Sequence, residues 1–240
     1  MKKYTISLVI PVYNEAESIS RTLKTTINGL SSITDTYEVI IVEDASSDAT
    51  PRIINQCSQE NHKIVPLFNK RNRGSGRSLY LGFKKAKYNL IMSNFADLPF
   101  DIKELENILP LLDNDEVDFV VVCRINRRAN SFFRKITSLA NYWLIRALFN
   151  IKVGDFQFVQ IYKKNVLDTI DVCSNGTFVA AEIIIKAVNQ GFRFKEFYTN
   201  FHPRFADKAK CGRPKVILQS VYEIISFWFK CQINPGLKKL

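Results

Sequence analysis

Between residues 6 and 123 the chain switches repeatedly between two hydrophobic periods. Ile6–Val12, Tyr37–Val42, Ile64–Phe68, Leu90–Met92 and Phe119–Cys123 are short apolar runs rich in Val and Ile. Such runs predict buried strands. Between them, Ile19, Leu23, Ile27 and Leu30 recur at helical spacing, as do Ile53, Ile54 and Cys57, then Leu79, Phe83 and Ala86, then the stretch Ile102–Leu112. Thr50-Pro51 predicts a helix start, with Thr50 as cap and Pro51 in the first helical position. A β-α-β-α-β order implies parallel strands joined by right-handed crossovers. Ligands of such sheets sit beyond the carboxyl ends of the strands. The candidate residues are therefore those at the end of each run: Tyr13-Asn14-Glu15, Glu43-Asp44, Asn69 to Gly76, Asn94 to Asp97, and Arg124.

The second half is less regular. Helices are expected over Phe132–Phe149, Phe178–Val188 and Val216–Cys231, with strand-like runs at Asp155–Tyr162 and Phe192–Phe201. No internal repeat or low-complexity linker divides the chain. The expected organisation is a single α/β domain over residues 1–213 followed by a C-terminal amphipathic helix and tail over 214–240. No apolar run reaches the roughly 18–20 residues of a membrane span. Met1-Lys2-Lys3 looks like the start of an export signal. The apolar stretch from Ile6 to Val12 is too short for one, contains Pro11 and runs into Asn14-Glu15, so it reads as a first strand. Five cysteines without a C-x-x-C pair, and only two histidines, argue against a structural zinc site. They place the chain in a reducing, cytoplasmic compartment, where the Asn175-Gly176-Thr177 sequon carries no meaning.

Charge is divided unevenly. Residues 1–123 hold fourteen Lys and Arg against sixteen Asp and Glu, a balance of −2, whereas residues 124–240 hold twenty against seven, a balance of +13. Arg124 to Lys152 contains seven basic residues and no acidic one. A solvated face is one reading. A positive field for a phosphorylated ligand, an anionic membrane or nucleic acid is the other. No recognised nucleic-acid module accompanies the basic stretches, so nucleic acid is not an expected partner.

Each post-strand segment admits a chemical role beside a structural one. Tyr13, Asn14 and Glu15 supply a ring to stack on a base and polar groups for a ribose, or form an ordinary strand-to-helix turn. Glu43 and Asp44 repel one another and require donors, from a ligand or from their own loop. Asn72-Arg73-Gly74-Ser75-Gly76-Arg77 places two glycines and two arginines at a helix start, where an anion can bind, although it is neither a P-loop nor a full G-x-G-x-x-G. Asp97 can hold a divalent cation that bridges a diphosphate, or sit in a helix-entry loop.

Taken in order, these segments resemble the family-2 glycosyltransferases of GT-A fold, and among them the dolichol-phosphate mannosyltransferase and glucosyltransferase-like members. The resemblance runs from Ile6 to about Lys215. Pro11, Tyr13, Asn14 and Glu15 match an opening Pro-x-Tyr-Asn-Glu. Val42 to Thr50 matches V-D-D-G-S-x-D-G-T, with Glu43 in place of the first Asp and Ala45 and Ala49 in place of the two glycines. Asn72, Gly74, Gly76, Gly82 and Ala86 match the glycine-rich segment. Arg124, Arg134 and Asp155 match single family positions. Phe178, Glu182, Gly191 and Phe192 match a later run, and His202-Pro203-Arg204 a late basic segment.

The resemblance implies a Rossmann-like, mostly parallel sheet flanked by helices. It also implies an inverting hexosyltransferase of cell-envelope or glycan biosynthesis, which moves a sugar from a nucleotide-sugar to a polyprenyl phosphate or a glycan. Pro11, Tyr13, Glu15, Glu43, Asp44, Gly74, Gly76 and Asp97 would then bind the donor. Arg124, Arg134 and Arg204 would meet phosphates of donor or acceptor, with Arg124 and Arg134 also stabilising the leaving diphosphate. Asp155 is the candidate base. Mg or Mn would be held at Asp97, but the family's Asp-x-Asp stands here as Phe95-Ala96-Asp97, one ligand short, with Asn94 as a candidate carbonyl substitute. That departure motivates an alternative, a catalytically impaired relative that binds a nucleotide-sugar or a phospholipid. The basic half and the Val216–Cys231 helix imply a peripheral position on the cytoplasmic membrane face.

Overall fold

The computed structural model describes residues 4–125, 132–200 and 214–238. Within them a seven-stranded sheet has the order β3-β2-β1-β4-β6-β5-β7. Its strands are β1 (Thr5–Val12), β2 (Thr36–Glu43), β3 (Ile64–Phe68), β4 (Leu90–Ser93), β5 (Phe119–Arg124), β6 (Gln160–Lys163) and β7 (Phe194–Thr199). The helices are α1 (Ile19–Ile33), α2 (Thr50–Glu60), α3 (Ser75–Lys85), α4 (Leu105–Leu112), α5 (Phe132–Phe149), the short α6 (Lys164–Asp168), α7 (Val179–Asn189) and α8 (Pro214–Ile233). This is the mostly parallel, helix-flanked α/β sheet that the alternating periods predict.

Strand alternation divides the core into two layers. Ile6, Leu8, Ile10 and Val12 of β1 face the layer that receives Leu23 and Leu30 of α1, Ile54 of α2 and Leu105 to Leu112 of α4. Val9, Ile40, Val42, Phe119 and Val121 face the other, filled by Leu79 and Phe83 of α3, Ile145 and Phe149 of α5, the α7 residues Val179 to Ala187, and Ile224, Phe227 and Cys231 of α8. Both faces of the central strands are thus covered, which is why these strands read as continuous apolar runs. At the amino-terminal edge of the sheet, the buried Glu38 carboxylate accepts from Ser7 Oγ (2.7 Å) and from the Lys87 N–H (3.0 Å), and Ser7 Oγ accepts the Tyr88 N–H. This closed polar network belongs to the scaffold.

One strand departs from the parallel expectation. β6 lies between β4 and β5 and runs antiparallel to both. The carboxyl ends of β1 to β5 and β7 therefore open on one rim, and so does the amino-terminal side of β6. The strand expected from Asp155 begins only at Gln160, because Asp155 is drawn out of the ladder by its hydrogen bonds to Arg124 and to the Gln157 N–H. α2 also starts differently. Thr50 is its first residue and Ala49 stands at the cap position, while the Asp48 carboxylate accepts the Thr50 N–H at 3.0 Å. The Thr50 hydroxyl accepts the Glu15 N–H instead. The expected 102–112 helix is a 3-10 turn (Ile102–Glu104), capped by Asp101, that leads into α4.

Candidate functional site

The rim is assembled from loops that bind one another. Asn14, in the left-handed region at φ 51°, accepts the Ser47 N–H at 2.8 Å and donates its own N–H to Ser46 Oγ. Glu15 and Ala16 donate to Thr50 Oγ1 and Asp48. Burial tends to raise the Asp48 carboxyl, but hydrogen bonds from Thr50 and Ala16 outweigh it and hold the group below the usual carboxylate range. Tyr13 stands at this junction 39% exposed, a solvent-accessible ring at the end of β1, and Pro11 is the half-buried residue two before it.

Glu43 and Asp44 are both 2% exposed. Glu43 accepts the backbone N–H groups of Ala45 (3.2 Å) and Ser46 (2.6 Å), closing a turn in which Ala45 takes φ 58°. Asp44 reaches the glycine-rich loop. It accepts from the Arg73 N–H at 2.9 Å, the Gly74 N–H at 2.8 Å and Asn69 Nδ2 at 2.8 Å. The donors these two acids require come from the protein itself. Gly74, at φ 87° and ψ 154°, lies where side chains are excluded. At Gly76 a Cβ would stand 1.8 Å from the Gly176 carbonyl oxygen, and the next N–H, of Arg77, donates to Asn175 O. The Arg73, Gly74 and Arg77 N–H groups at the start of α3 are thus taken by Asp44 and the 175–176 loop, and the two glycines serve close backbone approach. The Arg73 side chain is exposed on the same rim.

Beyond β4, Asn94 is fully buried. Its amide donates to Phe100 O and its carbonyl accepts the Phe95 N–H. The expected carbonyl substitute is therefore turned into its own loop. Asp97 is half-buried, and Leu98 beside it is held at φ 46°, a conformation that stores strain. Among the described residues no three His, Cys, Asp or Glu gather as a metal cluster. One carboxylate fits a hard divalent ion whose remaining oxygen ligands come from a diphosphate and water. It does not fit a resident ion held by protein alone.

On the rim at the end of β5, Arg124 and Asp155 form a two-pronged pair. Arg124 Nε donates to Asp155 Oδ2 at 2.7 Å and Nη2 to Oδ1 at 3.2 Å. The Gln157 N–H adds a third donor to Asp155, which is 3% exposed. The guanidinium lies 5.2 Å from the Phe158 ring centroid. β6 brings the two together: Arg124 ends β5, Asp155 precedes the reversed strand, and both meet at one edge. Behind them the Glu196 carboxylate accepts the Gly154 N–H (2.6 Å) and the Tyr198 hydroxyl (2.6 Å). That hydrogen bond from the hydroxyl, helped by burial, pushes Tyr198 up to about 12. The sequence pointed to neither Glu196 nor Tyr198. Arg134 lies in the first turn of α5 with its side chain outside the described residues, as is the whole of His202-Pro203-Arg204.

A further support enters from the C-terminal helix. Glu223 of α8 accepts the Gly176 N–H through both oxygens, at 2.9 and 3.1 Å. Below it, Glu182 of α7 is fully buried, accepts the Cys173 and Ser174 N–H groups, and pairs with Lys186 at 3.1 Å. The loop that abuts Gly76 is held from two helices. Among the described residues no helix is long and apolar enough to cross a membrane.

Comparison with known proteins bears on the family and the fold. The family model described as glycosyl transferase family 2 matches residues 7–182. Glycosyltransferase AglD of Haloferax volcanii is 27% identical over 98% of this chain and 38% of its own length. The undecaprenyl-phosphate 4-deoxy-4-formamido-L-arabinose transferase of Proteus mirabilis is 30% identical over 72% of this chain and 54% of its own. The chain thus spans about half or less of these curated relatives. Among solved structures, glucosyl-3-phosphoglycerate synthase from Mycobacterium tuberculosis, in complex with Mn2+, UDP and glucosyl-3-phosphoglycerate, superposes with a TM-score of 0.70. It is 16% identical, and the match covers 93% of this chain and 79% of that one. At that identity the likeness is one of fold.

Proposed function

The chain belongs to glycosyl transferase family 2, and on that premise we propose that it is an inverting glycosyltransferase acting on a polyprenyl phosphate at the cytoplasmic membrane face. The acceptor oxygen attacks the anomeric carbon of a nucleotide-sugar, the bond from that carbon to the diphosphate oxygen breaks, and the nucleoside diphosphate leaves with the electron pair. Negative charge grows on the departing group, and fixed cations in a partly dry site stabilise it. Arg124 takes that role, with Arg134 and Arg204 assigned to the phosphates of donor or acceptor. Tyr13, Pro11 and Glu15 receive the nucleoside. Glu43, Asp44, Gly74 and Gly76 keep the surrounding loops in shape. Asp97 would hold a Mg2+ or Mn2+ ion that arrives with the diphosphate, and a bound ion would neutralise part of the developing charge.

The observation that carries the choice of acceptor is the Arg124–Asp155 pair. Both Asp155 oxygens already accept protein donors, so Asp155 serves to orient the guanidinium. An acceptor that is already anionic needs no base, which favours a lipid phosphate over a glycan hydroxyl. The test is a thermal-shift panel of GDP-mannose, UDP-glucose and UDP-GlcNAc, with and without Mn2+, followed by transfer of the best donor to a short-chain polyprenyl phosphate. We expect one donor to raise the melting temperature more with Mn2+ than without, accompanied by transfer. The single carboxylate at Asp97 favours a second reading, a donor-binding relative without activity. Tight donor binding with no transfer to lipid phosphate or glycan would select it.

A further inference from the structure

α8 is apolar on two opposite sides. Ile224, Phe227 and Cys231 point inward, none more than 3% exposed. Leu218, Tyr222, Ile225, Phe229 and Ile233 point outward, between 38% and 85% exposed. Their spacing of four, three, four and four residues places them in one row along the helix, about 22 Å long at 1.5 Å per residue. An apolar row on the side of a helix turned away from the core is poorly suited to water, and a continuous exposed row of this kind marks a contact surface.

Charge indicates what fits the row. The helix carries one acid, Glu223, whose carboxylate is turned to the Gly176 N–H, so no carboxylate of α8 stands on the outer face. Lys230 is exposed on the flank, Lys215 is the second residue of the helix, and Lys238 and Lys239 follow it in sequence. Residues 124–240 as a whole carry +13. Aromatic and aliphatic side chains on one face of a helix, in a basic setting without opposing acids, fit an anionic lipid surface.

We propose that the outer face of α8 lies in the headgroup region of an anionic bilayer and seats the protein there. Tyr222, Ile225 and Phe229 form the middle of the embedded row, and Leu218 and Ile233 its ends. Through Glu223 the same helix grips the loop that packs on Gly76, so the lipid seat and the donor rim are mechanically one unit. The biological use of the seat rests on the reading of the acceptor as a lipid phosphate, but lipid binding itself requires no transfer.

Flotation of the full chain with vesicles of phosphatidylcholine, and of phosphatidylcholine mixed with phosphatidylglycerol, tests the proposal. The chain should float with the anionic vesicles. Tyr222→Ser with Phe229→Ser should lower the partition coefficient by about tenfold or more at an unchanged melting temperature. Ile233→Asp, on the most exposed position of the row, should weaken it in the same direction and guards against a folding defect in the double variant. Three results would overturn the seat: no flotation, flotation that both variants leave intact, or a concentration-dependent dimer in sedimentation that the double variant abolishes. Transfer to a soluble short-chain acceptor is scored separately, so failure of the seat and failure of the glycosyltransferase reading remain distinct.

Discussion

Two residues of the rim show how much depends on local geometry. Arg124 holds Asp155 by two parallel hydrogen bonds, an arrangement that a lysine ammonium cannot reproduce. Arg124→Lys keeps the charge and loses the fork, so turnover should fall about tenfold or more while the melting temperature changes little. Steady-state kinetics should place the loss in kcat rather than in donor KM. Ala45 sits at φ 58°, where a side chain costs about 1–2 kcal/mol. Ala45→Gly should raise the unfolding free energy by about 1 kcal/mol in a denaturant titration, after the extra chain entropy of glycine is subtracted. The family's glycine at this position gives the same physical requirement in sequence form.

At the level of elements, legibility in the sequence tracked burial and proximity. The central strands were readable because both faces are covered, and β3 and α5 fall on their expected bounds. The glycine-rich loop was readable as a site element, but its use was not: Asp44 accepts from Arg73 and Gly74 across 29 and 30 residues. β6 has four residues, and its direction is set by its neighbours β4 and β5, so its local pattern carries no sign of reversal. Glu196 and Glu223 hold N–H groups 42 and 47 residues away, and no short-range motif encodes such pairs. Glu223→Ala would leave the Gly176 N–H without its acceptor. The expected outcome is a loss of about 1–2 kcal/mol of stability, with faster hydrogen exchange at the Arg77 amide, which that loop covers.

On the scale of the whole molecule, α8 helps to close the core. The Phe227 ring centroid lies 5.6 Å from that of Phe149 and 5.8 Å from that of Phe178, so α5, α8 and the residue that caps α7 share one aromatic cluster. A chain ended after residue 213 would bare Phe149 and Phe178 together. It should lose cooperative unfolding, seen as a broadened calorimetric transition with increased dye binding. The charge division has a different origin. The −2 half supplies the loops that follow β1, β2 and β4, and the +13 half supplies Asp155 and α8 together with Arg124, so the rim joins an acidic part of the chain to a basic one.

The order of strands leaves β3 and β7 with one unpaired margin each among the described residues. β3 carries Pro66, which has no amide hydrogen to offer, and β7 carries Lys195 and Glu196. Neither margin is a good template for a foreign strand. On the proposed lipid seat, where copies would stand at high local density, these margins would guard against cross-β fibre growth through the lateral ends of the sheet.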